Sequence, residues 1–232
     1  MKGKLMAVLA MGVLTLGTAS LATADMITGY LYSGVTIDVS GSETQDYKNA
    51  QTALVNIANA SAATGYTDDF YVDNIDFSAP SGTTLLTYSA FLSSGSSNNL
   101  TGLANASALM TTAHDSADIF RFEGVANFSS NFSIYHDDGF VLELIKNGST
   151  IFKSAYTGTD ADSSWPTGPA YEYFTVTEGT YNFVLTYESW NGNPEVLKTS
   201  GVTFKSVPEP ATTLLIGLGL AGLVGFRMRK RN

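Results

Sequence analysis

Two short stretches carry the residue types that could hold a hard cation. The first is Asp137-Asp138-Gly139, set between the apolar runs Phe132–His136 and Phe140–Leu144. Two adjacent carboxylates in a tight turn repel each other, and a cation, a shared proton or full hydration normally relieves them. The glycine that follows is expected to supply the positive φ of a sharp turn. The second stretch is Asn191-Gly192-Asn193-Pro194, which links Trp190 to Glu195. Its side-chain amide oxygens and backbone carbonyls are the hard ligands that Ca²⁺ prefers. Asp-Asp-Gly is also the composition of an ordinary solvated turn. The pattern therefore leaves two readings open: a metal-holding turn with Asp137, Asp138 and Asn191 as ligands, or a plain one.

Other chemistries are less well served. There is no cysteine, which removes thiolate nucleophiles, iron–sulfur clusters and cysteine zinc sites. His114 and His136 lack zinc-binding spacing and read as two unrelated surface histidines. Glu123, Glu143, Glu172, Glu178 and Glu188 could supply a glycosidase pair, with Glu188 the best placed because it lies beside the Asn191 turn. Acids on exposed strand faces are the commoner explanation. No glycine-rich phosphate loop, nucleophile elbow or basic aromatic patch is present. Residues 25–207 hold six Lys and Arg against twenty Asp and Glu, a net charge of −14. Such a surface argues against nucleic acid and anionic lipid as partners.

The elements that must position these residues are mostly strands. Gly, Ser, Thr, Asn and aromatic residues are abundant, the profile of an exported β-protein. Candidate strands are Ile119–Phe128, Asn131–His136, Phe140–Lys146, Thr150–Tyr156, Tyr171–Thr177, Thr180–Trp190 and Glu195–Phe204, preceded by strand-like stretches at Met26–Val39 and Phe70–Phe77. Ser129-Ser130, Asn147-Gly148 and Glu178-Gly179 mark turns, and Asn147-Gly148 is a two-residue hairpin signal. Ser42 and Gln45 form a capping-box pattern before Tyr47, Ala50, Leu54, Ile57 and Ala58, which recur at helical spacing. This predicts one amphipathic helix over 44–62. The reading is a mainly β chain, an antiparallel β-sandwich of jelly-roll type with that helix, occupying 25–204 as a single domain.

The two ends address the protein. Lys2 and Lys4, an apolar stretch and Ala22-Thr23-Ala24 make a signal peptide over 1–24, cleaved after Ala24. At the other end Pro208-Glu209-Pro210 closes a linker over 205–210. An apolar segment over 211–226 follows, long enough for roughly 24 Å as a helix. Arg227, Arg229, Lys230 and Arg231 in the 227–232 tail would keep that end cytoplasmic. This arrangement resembles the PEP-CTERM sorting signal of Gram-negative bacteria. The resemblance implies recognition by an exosortase-type membrane protease, transient anchoring in the inner membrane, and release to the cell surface or extracellular matrix.

The Phe132–Leu144 and Gly179–Leu197 blocks, with their Asp-Asp-Gly and Asn-bearing turns, resemble the β-sandwich module of the anthrax protective-antigen type, which includes the GLEYA adhesins. The resemblance covers roughly 118–204. It implies Ca²⁺ held by Asp137, Asp138 and Asn191, and a sugar held by that ion. Asn193 then lies near the ligand, and Trp190 or Trp165 is available to stack on a sugar face. The expectation is a non-catalytic, calcium-dependent carbohydrate-binding protein coupled to extracellular polysaccharide. The alternatives are a structural matrix spacer without ligand, and a polysaccharide hydrolase.

Overall fold

A computed structural model describes residues 26–79, 86–95, 98–111, 113–155, 170–190 and 195–205. The chain divides into two compact units, and all of these residues belong to the unit Asp25–Val207. The expected signal peptide with Ala22 and Ala24, the Pro208-Glu209-Pro210 linker, the apolar segment 211–226 and the basic tail lie outside the described residues. So do Trp165, Asn191 and Asn193.

The strands are β1 (Ile27–Thr36), β2 (Asp68–Val72), β3 (Asp76–Ser78), β4 (Ser116–His136), β5 (Phe140–Lys146), β6 (Ser149–Lys153), β7 (Ala170–Thr175), β8 (Gly179–Trp190) and β9 (Val196–Lys205). Helix α1 spans Glu43–Asn59 and the short helix α2 spans Tyr88–Leu92. All strand pairings are antiparallel. β4 organises the sheet. Its first half lies between β1 and β8, giving the order β2-β1-β4-β8-β5-β6. Its second half lies between β9 and β7, with β3 beyond β9. The register of β9 on β4 breaks between Phe128 and Ser133. There Gly201 takes φ +76°, and a Cβ would sit 2.9 Å from the Asn131 carbonyl. Only glycine fits so close a crossing.

Aromatic side chains from the two halves meet between them. Phe174 of β7 lies 6.1 Å from Phe140 and 5.6 Å from Phe152, centroid to centroid. Phe183 of β8 meets Phe204 of β9 at 5.5 Å, and Phe77 of β3 stacks on Phe122 of β4 at 5.5 Å. These contacts make the fold a sandwich, with the phenylalanine core between its layers. A second apolar cluster lies on the outer face of the larger layer. Ala50, Leu54 and Ala58, one turn apart along α1, pack there with Tyr32, Ile119, Val141 and Trp190. Arg121, 3 % exposed, pins the end of α1 by donating from Nη1 to the Ile57 and Ala60 carbonyls at 2.7 and 2.9 Å.

Several elements depart from the sequence expectation. Ser129-Ser130 is not a turn, because β4 runs through it as one 21-residue strand. The Phe70–Phe77 stretch splits into β2 and β3. The helix ends at Asn59 rather than 62, and the Ser42 side chain makes no capping hydrogen bond, so the capping box does not form. The Asn147-Gly148 hairpin forms as read. Both residues take positive φ, 53° and 76°, and join Lys146 to Ser149.

Candidate functional site

Asp137, Asp138 and Gly139 connect β4 to β5, with His136 as the last residue of β4. The turn is tied to two other strands. Asp137 N donates to the Val196 carbonyl at 3.0 Å, and Glu188 N donates to the Gly139 carbonyl at 2.9 Å. The left-handed backbone conformation falls on Asp138, at φ +65°, and not on Gly139 as expected. Aspartate tolerates that region better than most residues. A 2.6 Å hydrogen bond between His136 Nδ1 and the Asp138 carbonyl holds it. His136 is buried, 2 % exposed, so it is not the surface histidine the sequence suggested.

Asp138 is half-buried as a residue, but its carboxyl group points inward. Its Oδ2 accepts from Trp190 N at 2.6 Å. Trp190 is the last described residue before the Asn191–Pro194 loop, and Glu195 is the first after it. Glu195 Oε2 accepts from the Tyr187 hydroxyl at 2.9 Å. Both flanks of the asparagine loop therefore abut the Asp-Asp turn.

The electrostatics of this cluster are unusual. Burial, then the neighbouring Glu195 charge, pushes the Asp138 carboxyl well above the usual carboxylate range. Asp137 and Glu188 add to the rise, and the Trp190 N–H opposes it. Burial likewise raises Glu195 well above its usual range, against the hydrogen bond from Tyr187 and with help from the charges of Asp137 and Asp118. Burial also raises Asp137, while the Asp138 N–H opposes. Glu188 and Glu195 are 1 % and 2 % exposed. The ion pairs Arg121–Glu123, Lys153–Glu143 and Lys198–Asp76 involve none of Asp137, Asp138 and Glu195. The buried carboxyl groups of Asp138 and Glu195 gain by taking up a proton or a cation.

Sequence reasoning anticipated part of this. Asp137 and Asp138 are brought to the root of the asparagine loop. Glu195 was not foreseen as part of the site, and Glu188 was weighed only as a hydrolytic acid. Their signal is two acids bracketing the loop inside apolar runs, with no Lys or Arg from residue 180 to 197. Trp190 needs correcting. It is 2 % exposed, its Nε1 donates to the His114 carbonyl at 2.8 Å, and its ring lies against His114 and Tyr47 at 5.1 and 6.3 Å. An indole so enclosed offers no face for a sugar. Among the described residues no group of three or more His, Cys, Asp or Glu could hold a metal ion. Asp118 is a different case. Its buried carboxylate accepts from Thr111 N, Gly34 N and the Tyr88 hydroxyl at 2.6, 2.9 and 3.0 Å, a satisfied structural knot.

Comparisons with known proteins bear first on the tail. Residues 206–230 match the PEP-CTERM protein-sorting motif, which marks an exported protein handled by exosortase. A search of curated proteins finds no match. Among solved structures the chain is similar to a PA14 sugar-binding domain from an RTX adhesin, at 14 % identity and a TM-score of 0.37, covering 77 % of this chain and 89 % of that one. It is similar also to the PA14 domain of the MpAFP antifreeze protein, at 15 % identity and a TM-score of 0.37, covering 78 % and 86 %. Likenesses this distant leave the functional reading to the side chains of the site.

Proposed function

We propose that this is a non-catalytic surface or matrix protein whose β-sandwich binds carbohydrate through Ca²⁺ at the Asp137-Asp138 turn, with Asn191 completing the ligand set. One observation carries the reading. The inward carboxylate of Asp138 lies at the root of the asparagine loop, 2.6 Å from Trp190 N and beside the buried carboxyl group of Glu195. The donor set fits the ion, since carboxylate and amide oxygens are hard ligands and Ca²⁺ accepts six to eight of them in flexible geometry. The ion would supply charge balance to the turn and open positions for vicinal hydroxyls of a sugar. The chain's own residues do the rest. The His136 contact and the strand anchors fix the turn, and Tyr187 orients Glu195.

The sorting motif supports an extracellular setting for this binding. An exosortase-type protease would process the tail near Pro208-Glu209-Pro210. The sandwich would then contact the producer's own extracellular polysaccharide. A panel of immobilised glycans probed with the exported protein, in calcium and in EDTA, tests the reading. It expects glycan binding in calcium that EDTA abolishes and that Asp137→Asn weakens at least tenfold. A protein that serves only as an acidic spacer binds no glycan in either condition, and a hydrolase releases reducing ends.

A further inference from the structure

The smaller layer of the sandwich has an outer face that the calcium reading does not use. On β7, Phe174 turns inward onto Phe132, Phe140 and Phe152, so its alternate residues Tyr171 and Tyr173 turn out. They are 57 % and 77 % exposed, the highest values among the large hydrophobic side chains described. Tyr135 of β4 is paired with Tyr171, and their ring centroids are 4.3 Å apart. Tyr171 and Tyr173 follow at 6.1 Å with rings 21° from parallel. Single exposed aromatics need no explanation, but three in register along two paired strands form a surface.

The surroundings say what that surface suits. Ser133 pairs with Tyr173 in the register, and Thr175 donates to Asn131 Oδ1 at 3.1 Å beside it. Lys198, which pairs with Tyr135 in the register, is ion-paired with Asp76 at 3.2 Å. A domain of net charge −14 thus presents here a face of aromatic rings, hydroxyls and amides. A polyanion or a second copy of this acidic chain would be repelled by the domain as a whole. A neutral polymer of hexopyranose units has the complementary chemistry. Its C–H faces stack on tyrosine rings, and its hydroxyls exchange hydrogen bonds with threonine, asparagine and tyrosine.

We infer that the Tyr135–Tyr171–Tyr173 face is a second, calcium-independent binding surface for a neutral polysaccharide chain. It does not depend on the Asp137-Asp138 turn for binding.

The test is affinity electrophoresis of the full-length chain in detergent, with EDTA throughout, through gels containing hydroxyethylcellulose as the neutral probe or alginate as the anionic one. Retardation by hydroxyethylcellulose alone is expected. It should persist in an Asp137→Ala/Asp138→Ala variant and weaken about tenfold or more in Tyr171→Ala/Tyr173→Ala. The single variant Tyr173→Ala, at the most exposed of the three positions, guards against a folding defect, with an unchanged thermal midpoint as the control. Loss of retardation in EDTA for the unaltered chain overturns the inference. So does equal retardation of the tyrosine variants, or a tyrosine variant whose only change is from oligomer to monomer in sedimentation. If the calcium reading fails while retardation in EDTA survives, this surface stands by itself.

Discussion

Asp138→Asn should make the calcium-free protein more stable, and the gain should grow with pH. The amide oxygen of asparagine can still accept from Trp190 N, so the substitution removes charge and little else. Burying an ionised carboxylate costs several kcal/mol, and one charge-assisted hydrogen bond returns about 1.5–3 kcal/mol. The net penalty that the variant escapes is on the order of 2 kcal/mol once Asp138 is ionised. For a domain of this size that corresponds to a thermal midpoint about 4–8 °C higher. The sign with pH follows from the raised carboxyl. The folded state holds this proton more tightly than the unfolded chain, so folding is fully supported below the unfolded pKa of about 3.9. That support drains away as pH climbs through the raised folded value. Wild type and variant should therefore melt together near pH 3.5 and diverge upward, in scanning calorimetry with EDTA. A variant that melts below wild type at neutral pH would refute the argument. It would mean that the Asp138 charge is already balanced in the folded protein and needs no cation.

Other parts of the fold make independent predictions. Asp118→Ala strands three donors around a buried site and should cost roughly 3–5 kcal/mol in urea denaturation, with no dependence on calcium. Arg121→Ala removes the tie to the end of α1 and the Glu123 contact. It should cost about 2–4 kcal/mol, with faster amide hydrogen exchange concentrated in Glu43–Asn59. Gly201→Ala should lose roughly 1–3 kcal/mol, more than Gly148→Ala at about 1 kcal/mol. Both have φ +76°, but only the Gly201 methyl group would press on a neighbouring backbone.

The parts of this fold legible in the sequence are those with local causes. Asn147-Gly148 specifies its hairpin because both residues accept positive φ. The helix is legible because Ala50, Leu54 and Ala58 share one face. Ser129-Ser130 misleads because serine pairs suit turns, whereas here they lie where β4 passes from one layer to the other, a long-range event fixed by Gly201 seventy residues on. The site divides in the same way. The Asp-Asp turn advertises itself by composition. Its buried partners Glu188 and Glu195 do not, because what distinguishes them is their burial beside the turn once β8 and β9 are in place. Trp190 shows the converse. Its type and position beside the loop suggested a sugar platform, but α1 packs over that face of the sheet and takes the indole into its own core. The exposed tyrosines of β7 escaped notice because alternation places Tyr171 and Tyr173 on one face without saying which face is wet.

Calorimetric titration of calcium into the exported protein addresses the central claim most directly. The account predicts saturable one-site binding that raises the thermal midpoint, reverses the stability order of wild type and Asp138→Asn, and vanishes in that variant. Titration without heat, with midpoints unmoved by millimolar calcium, would contradict it.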